Sequence, residues 1–198
     1  METGKSISPV QIAVSAGSCA VLLSVAFLEA QTRQDILFHQ VLNTVRVTMV
    51  LFGVAMCIYV LTYNVERTSG YWLLFWSLSF LSYLIHVYFS FFLYFHGRIS
   101  EFYSAQGAFV ATTNLFITAW WLLDFLLAWF GDSRVTWIRA QRMGIHLLIL
   151  VTFFLSTVVF HAVDHKETFV VVLGVFQALS VVIAFIIRRR TAIRIDRR

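Results

Sequence analysis

Polar positions in this chain fall in short clusters, and long apolar blocks run between them. A helix needs about 20 apolar residues to cross the hydrocarbon of a bilayer. By that measure the pattern predicts spans over residues 9–28, 43–63, 71–95, 107–130, 143–163 and 168–187. The first block follows a polar start carrying Lys5 and ends at Glu29 to Gln34. A cleaved signal peptide competes for that block, but its apolar run is long for one, and Leu28 and Ala30 make a poor cleavage pair.

The links are short. Gln31 to Gln40 reads as a polar connector, and Asn64, Glu66, Arg67 and Gly70 close the second span. His96-Gly97-Arg98 closes the third, and Ile99 to Gln106 leads into the fourth. Ser133 to Arg142, with three arginines and Trp137, has the look of an interfacial helix or juxtamembrane loop. Asp164 to Glu167 turns the chain into the last span. The expected architecture is therefore an all-α integral membrane protein, a polytopic bundle of about six transmembrane helices in a single domain.

Composition agrees with a lipid solvent. Apolar residues make up 60% of 198 residues and charged ones 13%, with a mean hydropathy of +0.81. A chain this short cannot hide so much apolar surface in one water-surrounded core. The net charge of +5 is not spread as a nucleic-acid binder would need, because six of fifteen Lys and Arg lie in the tail, residues 188–198. A nucleic-acid partner is excluded; the lipid bilayer, with anionic lipid at the basic tail, is expected in its place.

Charge also sets the orientation. With the tail inside, six spans place eleven Lys and Arg on the inner side and leave Arg33, Arg46, Arg98 and Lys166 outside. Both termini are then cytoplasmic. Five spans would move the Lys5 end outside and change little else. The preference for Arg over Lys points by association to a bacterial cytoplasmic membrane. Cys19 and Cys57 fall inside spans and read as packing residues. Small residues on the first span (Ala13, Ala16, Gly17, Ala20, Ser24) recur at three and four, which suits close approach of a neighbouring helix or a partner subunit.

Ionisable groups at membrane depth are the first candidates for function. His86 lies mid-span on a polar stripe with Ser79, Ser82, Tyr83 and Ser90, and Thr118 and Asn114 on the fourth span reach a similar depth, so these residues predict a polar pocket. A plain interhelical hydrogen bond from His86 is the alternative. Asp124 is either an interfacial carboxylate reaching Arg134, Arg139 or the tail, or a proton-accepting group. On the outward side His96, His161 and His165 are ligand types that suit zinc or copper, without a motif that fixes geometry. No second histidine matches His86 in depth as a bis-histidine haem requires. The aromatic run of the third span suggests either a groove for a quinone-like lipid or plain packing.

Three readings follow, with the cofactor unknown. One is a non-catalytic subunit or accessory protein of a membrane complex, packed against a membrane-protein partner or a second copy. The second is a small redox or lipid-modifying enzyme using the outward histidines with metal, haem or quinone. The third is a proton-coupled small-solute transporter using Asp124 and His86.

Overall fold

The computed structural model describes residues 7–62, 69–132, 134–156 and 168–196, apart from the side chains of 168–170 and 191–196. Every regular element is helical, and there is no strand among the described residues. Lys5, Glu66, Arg67, the last third of the expected fifth span and the Asp164–Glu167 link lie outside them.

Helix α1 (Pro9–Gln31) starts where Ser8 caps it. The Ser8 hydroxyl accepts from the Gln11 backbone N–H at 3.2 Å, and the Gln11 side chain accepts from the Ser8 N–H at 2.8 Å. That reciprocal box, with proline in the first turn, satisfies donors a helix start otherwise leaves open. Helix α2 (Ile36–Thr62) begins seven residues before the expected boundary. The Asp35 carboxylate accepts from the Phe38 N–H at 3.0 Å, so the polar stretch opens a helix, and only residues 32–35 connect α1 to α2.

Helix α3 (Gly70–Val87) runs on into a π-helical segment, Tyr88–Tyr94. It closes with Phe95 N–H to Ser90 C=O at 3.0 Å and Gly97 N–H to Phe91 C=O at 2.8 Å. His96 (φ 52°) and Gly97 (φ 69°) then reverse the chain. The expected connector is a short helix, α4 (Ile99–Gln106), set off by Gly107 at φ 77° from α5 (Ala108–Phe130). A Cβ costs strain at such an angle, so glycine suits this junction.

Helix α6 (Thr136–Phe154) is continuous through the stretch that the sequence suggested as a separate interfacial piece. Nothing between Arg142 and Met143 breaks a helix, and both Gln141 and Arg142 find a partner inside the bundle. Helix α7 (Thr168–Asp196) carries the last apolar block into the basic tail without a break.

Side-chain pairs fix the relative directions. Tyr59 meets Trp72 near one end of α2 and α3, whereas Val41 meets His86 near the other, so these helices are antiparallel. The pairs Tyr83–Thr118 and Trp129–Ser77 make α3 and α5 antiparallel. Gly144 against Trp120 and the Asp124–Arg142 pair do the same for α5 and α6. Helices α1 and α3 run the same way, with Gln11 beside Gly70 and Phe27 beside Phe89.

The core lies between α2, α3, α5 and α6, where Phe52, Trp76, Phe80, Trp121, Ile145 and Ile149 are fully buried. Helices α1 and α7 sit at the edge and leave most of their apolar side chains exposed. Among the described residues five helices are long and apolar enough to cross a membrane: α1, α2, α3 with its π segment, α5 and α7. The described part of α6 carries Arg139 and Arg142 and ends beside residues outside the description, so it is not among the five. The molecule is a helical bundle of the kind expected in a membrane.

Candidate functional site

Ile138, Arg142, Ile145, His146, Ile149 and Phe153 all face inward from α6, at the three- and four-residue spacing of one helical face. Two of those six are polar. Arg142 Nε lies 3.2 Å from Asp124 Oδ1, with both side chains almost wholly buried. The Gln141 amide donates to the same carboxylate oxygen, and Trp120 Nε1 donates to Gln141 Oε1 at 3.0 Å. Asp124 is thus held by two consecutive residues of the neighbouring helix, and a tryptophan holds one of those two.

The guanidinium lies over the Trp72 ring at 4.7 Å, a favourable position for a cation on a π face. One turn along α6, His146 is sandwiched between Trp76 (centroids 4.2 Å apart, planes 11° from parallel) and Tyr59 (4.5 Å, 17°). Its Nδ1 sits 2.6 Å from the Arg142 carbonyl. A carbonyl only accepts, so the hydrogen-bond network assigns the proton to Nδ1, and in the neutral ring Nε2 keeps its lone pair.

Burying an ion pair is costly unless its remaining hydrogen-bond positions are filled. Here several are open among the described residues: Asp124 Oδ2, Arg142 Nη2, His146 Nε2, and the Nε1 atoms of Trp72, Trp76 and Trp121. Trp76 Nε1 stands beside the Asp124 carboxyl without good hydrogen-bond geometry. Donors and acceptors therefore share one aromatic-walled region fed by α2, α3, α5 and α6. Such a centre can hold a proton on the carboxylate or accept a small polar guest after modest side-chain movement.

No family model, curated protein or solved structure matches the chain.

The residues singled out from the sequence are placed as follows. His86 Nδ1 donates to the Val41 carbonyl of α2 at 2.9 Å. Tyr83, not His86, reaches Thr118 and Asn114 on α5, with its hydroxyl 3.0 Å from Thr118 Oγ1 and 3.3 Å from the Asn114 carbonyl. Thr118 also donates to that carbonyl, and the Asn114 side chain donates to Gln106 on α4. His86, Asn114 and Thr118 are thus linked to different neighbours, and no hydrogen bond joins His86 to either of the others. The nearest link is through Tyr83, whose ring centroid is 6.1 Å from that of His86.

His96 is exposed in the turn after α3. His161 and His165 lie outside the described residues. Among the described residues no group of three His, Cys, Asp or Glu is close enough to hold a metal ion. The aromatic run of α3 divides: Trp72, Phe75, Trp76, Phe80 and Tyr83 pack into the core, whereas Tyr88, Phe92 and Tyr94 are exposed.

Sequence reasoning did not nominate Arg142 or His146. On sequence Arg142 is one of three arginines in the Ser133–Arg142 stretch, and His146 is among the histidines that do not match His86 in depth. Their i, i+4 spacing, on the same face as Ile138, Ile145 and Ile149, is the signal that finds them.

Proposed function

We propose that this chain is a proton-coupled integral membrane protein whose working group is Asp124, with Arg142 as its fixed counter-charge. The observation that carries the reading is the Asp124–Arg142 pair, withdrawn into the bundle with polar positions still open around it. Apolar residues at both positions would usually leave a packing helix pair as stable or more so. A charged pair kept at membrane depth favours a role for the charge itself. Protonation of Asp124 removes its attraction for Arg142 and frees the guanidinium to shift against Trp72, which gives a proton a means of altering the α5–α6 contact.

In this reading six helices cross a cytoplasmic membrane with both ends inside, since that arrangement collects most of the positive charge on one side. The test is proton movement across proteoliposomes loaded with a pH-sensitive dye. The wild-type protein should dissipate an imposed pH gradient faster than empty vesicles, and Asp124→Asn should abolish the difference. Wild-type vesicles that leak no faster than empty ones, or an Asp124→Asn variant as active as wild type, would overturn the reading.

A second reading, an accessory subunit of a membrane complex, is favoured by the edge helices. Helix α1 exposes Val10, Ile12, Val14, Val21, Val25 and Leu28, and α7 likewise exposes an apolar face, so both offer room for a partner helix. Crosslinking in native membranes from a cysteine at Val14 tests it. A single defined product supports a partner or a second copy, and its absence counts against this reading alone.

A further inference from the structure

Three open hydrogen-bonding positions meet at one carboxylate. Asp124 Oδ1 accepts from Arg142 Nε and from the Gln141 amide, while Oδ2 has no partner among the described residues. Arg142 Nη2 belongs to the same planar guanidinium and is open as well. Trp76 Nε1, beside this carboxyl, is the third. Asp124 and Trp76 are wholly buried, and Arg142 keeps only 4% of its surface. Across the wider aromatic-walled region the open atoms are four donors (Arg142 Nη2 and Nε1 of Trp72, Trp76 and Trp121) against two acceptors, Asp124 Oδ2 and His146 Nε2. Guanidinium and indole nitrogens donate only, so the surplus suits a guest that accepts.

Charge decides when such a guest enters. With Asp124 ionised, its negative charge balances the positive charge of Arg142. Protonation of Asp124 leaves a buried guanidinium without a counter-charge, a costly state. We infer that a small monovalent anion enters with the proton and takes the place of the carboxylate, held by Arg142 Nη2 and Trp76 Nε1. This rests on the proton-accepting role given above to Asp124. One O–H bond forms on the carboxylate, the Asp124–Arg142 ion pair opens, and the guanidinium turns its charge-assisted hydrogen bonds to the anion. No bond within the anion changes. The buried centre is neutral in both states, so proton and anion travel as a neutral pair. A cation would add to the charge of Arg142, and a divalent anion would leave a net negative charge buried. The His146 and Trp121 rings lie 4.2 and 5.1 Å from the Trp76 ring, centroid to centroid, so a modest side-chain shift makes room for a guest of halide size.

The experiment uses the full chain in a neutral detergent with bromide as the probe and gluconate holding the ionic strength constant. Bromide quenches tryptophan fluorescence on contact. A bound ion therefore gives a saturable component above the linear quenching of exposed indoles such as Trp137. The wild-type Kd should fall about tenfold for each unit drop in pH while Asp124 is ionised in the empty protein, because one proton is linked to one anion. Asp124→Asn should bind bromide without that pH dependence. Arg142→Gln should lose the saturable component. If that variant does not fold, Trp76→Phe should raise Kd about tenfold, with Trp72 and Trp121 left to report. Saturable binding that ignores pH in the wild type, no saturable binding at any pH, or none in Asp124→Asn overturns the inference. In proteoliposomes the wild-type protein should move protons faster in bromide than in gluconate. Equal proton movement in the two salts overturns the inference and leaves proton coupling at Asp124 standing. Bromide binding linked to pH, with no proton movement in either salt, supports the anion site and overturns proton transport alone.

Discussion

Trp76 lies nearly flat on His146, with ring centroids 4.2 Å apart, and Tyr59 covers the opposite face of the same imidazole at 4.5 Å. One ring from α6 thereby keys together α2 and α3. Replacing it by alanine opens a gap between two aromatic surfaces that cannot both move in. His146→Ala should therefore destabilise the bundle by about 3 kcal/mol, as large-to-small core changes do. His146→Phe keeps the stack and loses only the bond to the Arg142 carbonyl, so it should cost about 1 kcal/mol. Reversible unfolding in mixed micelles, followed by tryptophan fluorescence, checks the order. A phenylalanine variant as damaged as the alanine one would show that the hydrogen bond outweighs the stack.

The second prediction concerns coupling between Asp124 and Arg142. Removing one partner strands a buried charge on the other, a loss of about 3–5 kcal/mol. Removing both strands neither. Arg142→Met should therefore be more destabilising than the double variant Arg142→Met with Asp124→Leu, and Asp124→Leu alone should behave like Arg142→Met. A double-mutant cycle on unfolding free energies measures the coupling. Additive losses would mean that the two groups are held by their other neighbours, Gln141 and Trp72, rather than by each other.

What the sequence made legible, and what it did not, follows from which physical quantity each feature depends on. The apolar blocks are readable because lipid sets a minimum length, and α5 over Ala108–Phe130 lies within one residue of its expected span. Boundaries set by a single cap were missed: Asp35 converts an apparent connector into the first turns of α2. Depth along the axis was a fair guide for His86 and Thr118, but rotation about the axis was invisible. Tyr83, three residues before His86, takes the Thr118 contact, and His86 turns to Val41. Arg142 looked like a loop charge because its value depends on Asp124, which is distant in sequence and faces it only once α5 and α6 pack.

Tyr83 supplies the third prediction. Tyr83→Phe removes the bond to Thr118 while Thr118 keeps its own donation to the Asn114 carbonyl. Nothing on α5 is left without a partner, so the loss should be only about 1 kcal/mol. His86→Ala should cost more, because it removes both a half-buried ring and the bond that ties α3 to α2 at Val41. Comparing the two variants in the same unfolding assay tests whether α3 is held harder to α2 or to α5 at this depth.

The fourth prediction uses a glycine. A Cβ at Gly144 would lie 3.1 Å from the far edge of the Trp120 ring, tighter than ordinary contact. That ring also donates to Gln141, which in turn donates to Asp124. Gly144→Ala should push Trp120 away and weaken the support of the carboxylate, costing about 1–3 kcal/mol by overpacking. Trimming the tryptophan should absorb the intruding methyl. Gly144→Ala in a Trp120→Phe background should thus cost clearly less than in the wild type. If the cost is the same in both backgrounds, Trp120 is not the residue that reads the methyl, and the route from Gly144 to Asp124 through Gln141 fails with it.

The last prediction addresses which faces of the bundle meet which side of the membrane. Ser100 opens α4 and Thr136 opens α6, and the antiparallel packing of α5 between them puts these exposed positions at opposite ends. Arg134 and Arg139 stand at the Thr136 end, and in the six-span arrangement the basic tail faces the same side, so that end should be cytoplasmic. In intact cells a membrane-impermeant maleimide should modify Ser100→Cys at once and Thr136→Cys only after permeabilisation. Cys19 and Cys57 lie within helices α1 and α2, and the unmodified chain gives their background. Labelling of Thr136→Cys alone would keep the bundle and reverse its orientation, against the charge rule. Labelling of both from one side would mean that α5 does not cross the membrane between them, and the spanning arrangement itself would fall.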